Sequence, residues 1–254
     1  MKERILTILH RRFHLPYTET IKRAFGELSF AERLTFRVLA GGLVISAGIL
    51  LWQVNQFFVT EVPISGGSLT EGVVGSPRFL NPLLAISDAD RDLVSVLYSG
   101  LLKASPDGSL TPDLAKSFEI SKDGRTYSFI LKDSVYFHDG TPVTADDVEF
   151  TVLKAQDGNI KSPKRANWDS VTVEKVSPTE IHFILKQPYA PFLENTTMGI
   201  LPKHIWKNAS AEEFALSLFN IEPVGSGPYR VTSIGRNSLG IPDSYSLAPL
   251  TVTP

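Results

Sequence analysis

The 254-residue chain contains no cysteine. That absence excludes thiolate catalysis, Cys-ligated zinc, iron–sulfur clusters and an acylated lipoprotein cysteine, and any export to an oxidising space proceeds without disulfides. Charge of one sign is also scarce, because 25 Lys and Arg face 27 Asp and Glu for a net charge of -2. The balance is uneven along the chain. Residues 1–60 hold eight basic side chains against four Glu, whereas 61–254 hold 17 basic and 23 acidic. A basic head on an acidic body gives the body no electrostatic reason to bind nucleic acid. What is abundant is apolar material: 43% hydrophobic residues exclude disorder and suffice for a sizeable core.

The longest uncharged run covers 23 residues, Val38 to Thr60. As a helix rising about 1.5 Å per residue it spans about 34 Å, against roughly 30 Å of hydrocarbon. Trp52, Phe57 and Phe58 lie toward its far end, where aromatic rings favour the headgroup region. All eight basic residues of the head precede the run, which places the N-terminus inside and residues 61–254 outside. A cleaved signal peptide is the competing reading, but it calls for a shorter apolar stretch and a small-residue cleavage site absent from FFVTEVPISGG. A single uncleaved anchor over 38–60 is therefore expected, after a cytoplasmic segment 1–37 whose Ile5, Leu6, Leu9 and Phe13 suit the inner membrane face.

Beyond the anchor, PISGGS reads as a linker, and strand and helix signals then alternate. Ser87 caps a helix expected over Asp88 to Leu102, with Leu93, Leu97 and Leu101 on one face and Asp90 reaching back to the first turn. Tyr127, Phe129 and Leu131 alternate as in a strand. Thr144 with Asp147 opens a second capped helix bearing Val148 and Val152. Val171 to Val176 and Ile181 to Lys186, joined by SPTE, predict a hairpin, and Ser210 with Glu213 starts a short helix through Phe214 and Leu218. Tyr245 to Leu250 reads as a strand without a partner, so the sequence looks cut short. The mixture is α/β or α+β with antiparallel pairs.

No catalytic constellation emerges. The five His are dispersed; His138 beside Asp139 suggests a base and its orienting carboxylate, but a turn near DGTP accounts for both better. Asp146 and Asp147, in the first turn of a helix, complement its dipole more simply than they hold a metal. Gly225, Ser226 and Gly227 precede Pro228, which has no amide to offer a phosphate, so they read as a tight turn or hinge. Nucleophile-elbow, zincin, Walker and dinucleotide motifs do not occur, and no enzyme activity or cofactor is expected.

Several blocks carry a resemblance. LNPLLA (80–85), YSGLL (98–102), PDLAKSFEISKDGRTYSFILKDSVYFHDGTPVTADDVEFT (112–151), LKQPYAPFL (185–193), ILPKHIW (200–206) and PVGSGPY (223–229) follow one another as in the extracytoplasmic solute-binding proteins of peptide, dipeptide and nickel ABC importers, which the chain resembles from about residue 68 onward. The resemblance implies a type II clamshell of which this chain supplies a first lobe (63–80 and 200–254) and a subdomain (81–199), without the second lobe. It implies an oligopeptide or similar solute as ligand and an ABC permease and ATPase as partners. A peptide sensor or chaperone-like module and a nickel or haem receptor are the alternatives. For the first-lobe side of the cleft it points to Ser76, Pro77 and Phe79, to Gly225, Ser226, Gly227 and Tyr229, and to Tyr98 from the subdomain. In peptide-binding relatives the acidic partner of the ligand's amino terminus comes from the second lobe, so this chain alone is expected to bind peptides weakly or not at all.

Overall fold

A computed structural model describes residues 29–58 and 66–250, which fall into two compact units, Met1–Leu69 and Thr70–Pro254. The expected amphipathic pieces before residue 29 and the junction at 59–65 lie outside the described residues.

The described part of the first unit is dominated by α1 (Phe30–Phe58), a 29-residue helix that begins earlier than the uncharged run because Ala31, Leu34 and Phe36 extend the apolar pattern across Arg33 and Arg37. Its stretch Phe30–Val54 contains an 18-residue window of mean hydropathy 2.0, and the helix is long and apolar enough to cross a membrane. Leu43, Ile45 and Leu51 are exposed.

The second unit opens with α2 (Asp88–Leu97), whose Ser87 cap accepts from the Asp90 amide while the Asp90 carboxylate accepts from the Ser87 amide, the reciprocal box expected from sequence. The helix ends at Leu97, not Leu102. The physical reason is contact: Tyr98 turns extended, and Gly100 lies so close to Thr197 that a Cβ would come within 2.6 Å of its carbonyl. Two short strands follow, β1 (Leu102–Ala104) and β2 (Leu110–Pro112), paired antiparallel.

The centre of the unit is an antiparallel sheet in the order β3-β4-β6-β5, formed by β3 (Ala115–Ile120), β4 (Thr126–Leu131), β5 (Val171–Ser177) and β6 (Glu180–Leu185). Its apolar face follows the period of two in the sequence. Tyr127 faces Phe183 and Phe129 faces Ile181 across β4 and β6, and all four are buried. Helix α3 (Ala145–Gln156), boxed by Thr144 and Asp147 as expected, buries Val148, Val152 and Ala155 against β5 and β6. The short α4 (Arg165–Trp168) and α5 (Phe192–Asn195) close the core, where Trp168, Phe183 and Phe192 meet edge to face with centroids 5.5–5.8 Å apart.

After α6 (Lys203–Trp206) and α7 (Ala211–Leu216), a 3-10 turn at Leu218–Asn220 replaces the continuous helix expected through Leu218. Trp206 packs on Phe214 at 4.4 Å. The last pair is β7 (Tyr229–Arg236) and β8 (Pro242–Pro249), an antiparallel hairpin. The terminal strand expected to stand alone therefore has a partner: Asn237 Oδ1 accepts the Leu239 and Ile241 amides, and Gly240 adopts φ +76, which closes the turn between them.

Candidate functional site

A cavity of about 430 Å³ opens in the second unit, within the range of solute-binding pockets. Three stretches distant in sequence wall it: Pro82 to Ala85 with the Arg91, Val94 and Ser95 face of α2; Lys164, Asn167 and Trp168 around α4; and Glu194 to Gly199 from α5 onward.

Each wall is pinned by polar bonds, some between near neighbours and others across distant parts of the chain. Asn81, fully buried, accepts the Leu83 amide at 2.9 Å and donates to Asn220 at 3.0 Å, which fixes the turn carrying Pro82. Buried Asp90 anchors α2 to the preceding chain by accepting the amides of Arg78 (2.7 Å) and Phe79 (3.0 Å). Burial alone would raise the Asp90 carboxyl, but the Phe79, Arg78 and Ser87 donors outweigh it and hold the group below its ordinary value.

The α4 wall is tied to the first by Ser162, whose hydroxyl donates to the Leu83 carbonyl at 2.7 Å and accepts the Lys164 amide at 3.1 Å. Lys161 just before it takes φ 55, a left-handed conformation that turns the chain into this bond. Asn167 and Asn195 join the second and third walls: Asn167 Nδ2 donates to Asn195 Oδ1 at 3.0 Å, and Asn195 Nδ2 donates to the Asn167 carbonyl at 3.2 Å. Behind the third wall the Leu101 amide bonds the Thr196 carbonyl, and the Ile200 amide bonds that of Ser99.

The lining is mixed. Val94, Trp168 and Met198 present apolar atoms, the two Asn and Ser95 present amides and a hydroxyl, and Arg91, Lys164 and Glu194 bring charge. Arg91 is committed already, donating to the Ile86 carbonyl at 2.6 Å and pairing with Asp88 at 3.3 Å. Such a surface can hold an organic solute by shape and hydrogen bonds. Among the described residues no group of three His, Asp or Glu stands ready for a metal ion.

None of the eight residues singled out from sequence lines this cavity. The structure brings four of them together at the end of α2. The Gly227 amide donates to the Leu97 carbonyl at 2.9 Å, the Ser99 amide donates to Ser226 Oγ at 3.4 Å, and the Tyr98 ring lies within contact of Gly225. A Cβ at Gly225 would collide with the Leu97 carbonyl oxygen, and one at Gly227 would come within 2.5 Å of that of Val96. The Tyr98 hydroxyl is buried with no hydrogen-bond partner among the described residues, and burial pushes its pKa up. Tyr245 has a similarly unpartnered hydroxyl, pushed up to about 12, mainly by burial. Ser76 is exposed, Pro77 and Phe79 are partly buried, and Tyr229 opens β7 at 41% exposure.

His138 supplies a further clamp on the Gly225 turn, while Asp139 turns away to His204 at 2.7 Å, so the adjacent pair does not form a base and its orienter. The cavity residues themselves carry no local sequence signal, since only the tertiary fold brings them to one place.

Comparison with known proteins gives concordant results. The model of the bacterial extracellular solute-binding proteins, family 5 Middle, matches residues 109–239. Protein XP55 of Streptomyces lividans is 36% identical over 167 residues, covering 65% of this chain and 30% of that protein. The oligopeptide-binding protein AppA of Bacillus subtilis is 34% identical over 172 residues, covering 66% and 32%. Its structure in complex with a nonapeptide superposes with TM-score 0.61 at 31% identity, over 65% of this chain and 34% of that one. NikZ of Campylobacter jejuni in complex with Ni(L-His) gives TM-score 0.57 at 33% identity, over 65% and 32%. The chain thus spans about a third of the length of the relatives it matches.

Proposed function

Because this chain belongs to the bacterial extracellular solute-binding proteins of family 5, whose members bind solutes and are not catalysts, we propose that it is the substrate-binding component of an ABC importer of oligopeptides. The observation that carries the proposal is the cavity between α2, α4 and the Glu194–Gly199 segment, which is this chain's share of the ligand cleft. The fold is mixed α+β, as in the bilobed relatives, and corresponds to part of their length. In this reading residues 63–80 and 200–254 belong to the first lobe and 81–199 to the subdomain. Tyr98 and the Gly225–Gly227 turn hold the C-terminal end of α2, and Ser76 to Phe79 and Tyr229 remain candidate ligand contacts of the first lobe.

An organic solute fits better than a bare cation, since the lining offers one carboxylate and no imidazole. The apolar α1 then acts as an uncleaved anchor that keeps the binding unit on the outer face beside its permease, raising their effective concentration. The test is uptake of a labelled oligopeptide by cells deleted for the chain. Uptake should fall and be restored by the wild-type chain but not by Ser95→Trp, which fills the cavity; undiminished uptake in the deletion strain overturns the proposal.

A further inference from the structure

Three charged side chains line the cavity, and they are not equivalent. Arg91 spends its guanidinium on Asp88 and the Ile86 carbonyl. Glu194 is exposed. Lys164 is partly buried, and among the described residues its ammonium has no ion pair and no hydrogen-bond acceptor. A cation in the cavity wall without a counter-charge of its own is available to an anion that enters.

The Lys164 backbone is anchored at the cavity wall, as are those of Arg91 and Glu194. The Lys164 amide is bonded to Ser162 Oγ, and Ser162 is itself buried and bonded to the Leu83 carbonyl, in the segment between Pro82 and Ala85. The amide bond sets where the Lys164 side chain leaves the backbone at the cavity wall, and its four-carbon stem lets the ammonium adjust to a solute there.

From these observations we infer that Lys164 is a specificity-determining residue that receives a carboxylate of the bound solute, so that the cavity takes amino-acid or short-peptide ligands with a free carboxyl end. The inference rests on the cavity being the solute site. Glu194, on the facing segment, leaves a place for the ligand's ammonium, so a zwitterion matches the lining where a dianion does not.

The test uses the full chain in detergent micelles, labelled with 15N at its three Trp indoles and titrated up to peptide solubility with trialanine or with its C-terminal amide. The Trp168 indole signal reports occupancy of the cavity. Trialanine should bind about tenfold more tightly than the amide, the scale of one charge-assisted hydrogen bond. Lys164→Met should bring both peptides to the weaker affinity, whereas Lys164→Arg should keep the preference. Equal affinities in the wild type, a comparison that needs no variant to fold, or a preference intact in Lys164→Met, overturn the role of Lys164 and leave the cavity standing as the site. No Trp168 response to either peptide, or a response that survives Ser95→Trp, overturns the cavity reading and the inference together.

Discussion

His138 holds Gly225 twice: its amide donates to the Gly225 carbonyl at 2.8 Å, and its Nδ1 accepts from the Gly225 amide at 3.3 Å. The same ring reaches the Gly227 carbonyl through Nε2 at 3.1 Å. Both ring bonds form together only in the neutral tautomer with the proton on Nε2. Burial is the main cause that lowers the His138 pKa below its ordinary 6.5, and the nearby Arg230 charge adds to it, against opposing contributions from Gly227 and Asp139. The unfolded chain therefore takes up the proton first as pH falls. This contribution to stability is complete above about pH 6.5 and declines as pH drops from there through the lowered folded value. Thermal unfolding followed by circular dichroism between pH 5 and 8 should show the decline. His138→Leu should lose about 1–3 kcal/mol at pH 7, by stranding the Gly225 amide and the Gly227 carbonyl, and should show a flatter profile.

Gly227 and Gly72 make a matched pair of glycine tests. A Cβ at Gly227 meets the backbone of Val96, Leu97 and Tyr98 at 2.5–2.6 Å, while one at Gly72 meets nothing within 4 Å. Gly227→Ala should cost about 1–3 kcal/mol by forcing the turn off α2, and Gly72→Ala should be neutral or slightly stabilising. Urea midpoints of the two variants at an unchanged slope are the measurement.

Asp146 and Asp147, alike in sequence, should part company on mutation. Asp146 pairs with Lys175 and Lys203 at 3.0 Å each, with all three side chains more than a third exposed. Buried Asp147 accepts from the Thr144 amide and hydroxyl and from the Lys203 amide, each at 2.9 Å. Asp146→Ala is expected to cost at most about 1 kcal/mol and Asp147→Ala about 2–3 kcal/mol. Chemical denaturation of both variants in parallel decides it.

Isothermal calorimetry on the chain with a mixture of oligopeptides should show only weak binding, outside the micromolar range, because the chain matches only about a third of its relatives' length. Low-micromolar binding would show that this portion suffices by itself. Ser68→Cys in intact cells should react with a membrane-impermeant thiol reagent, and protection from it would reverse the proposed topology.

The local elements were legible because their signals are local. The boxes at Ser87, Thr144 and Ser210 each join residues three apart, and the Val171–Ser177 and Glu180–Leu185 hairpin needs only its own alternation and turn. Misreadings arose where distant chain decides. Leu101 keeps the period of α2, yet Thr197 stands too close to Gly100 for the helix to continue. Tyr245 finds Ile234 across a turn whose closing bonds depend on Asn237. The cavity lay wholly beyond such reasoning, since Lys164, Asn195 and Arg91 are ordinary polar residues until folding sets them around one space.

The walls of that space run from Pro82 to Gly199. Pro82 and Gly199 stand 117 residues apart in the sequence, so the recess closes only through long-range contacts, whose loop-closure entropy weighs on the folding rate.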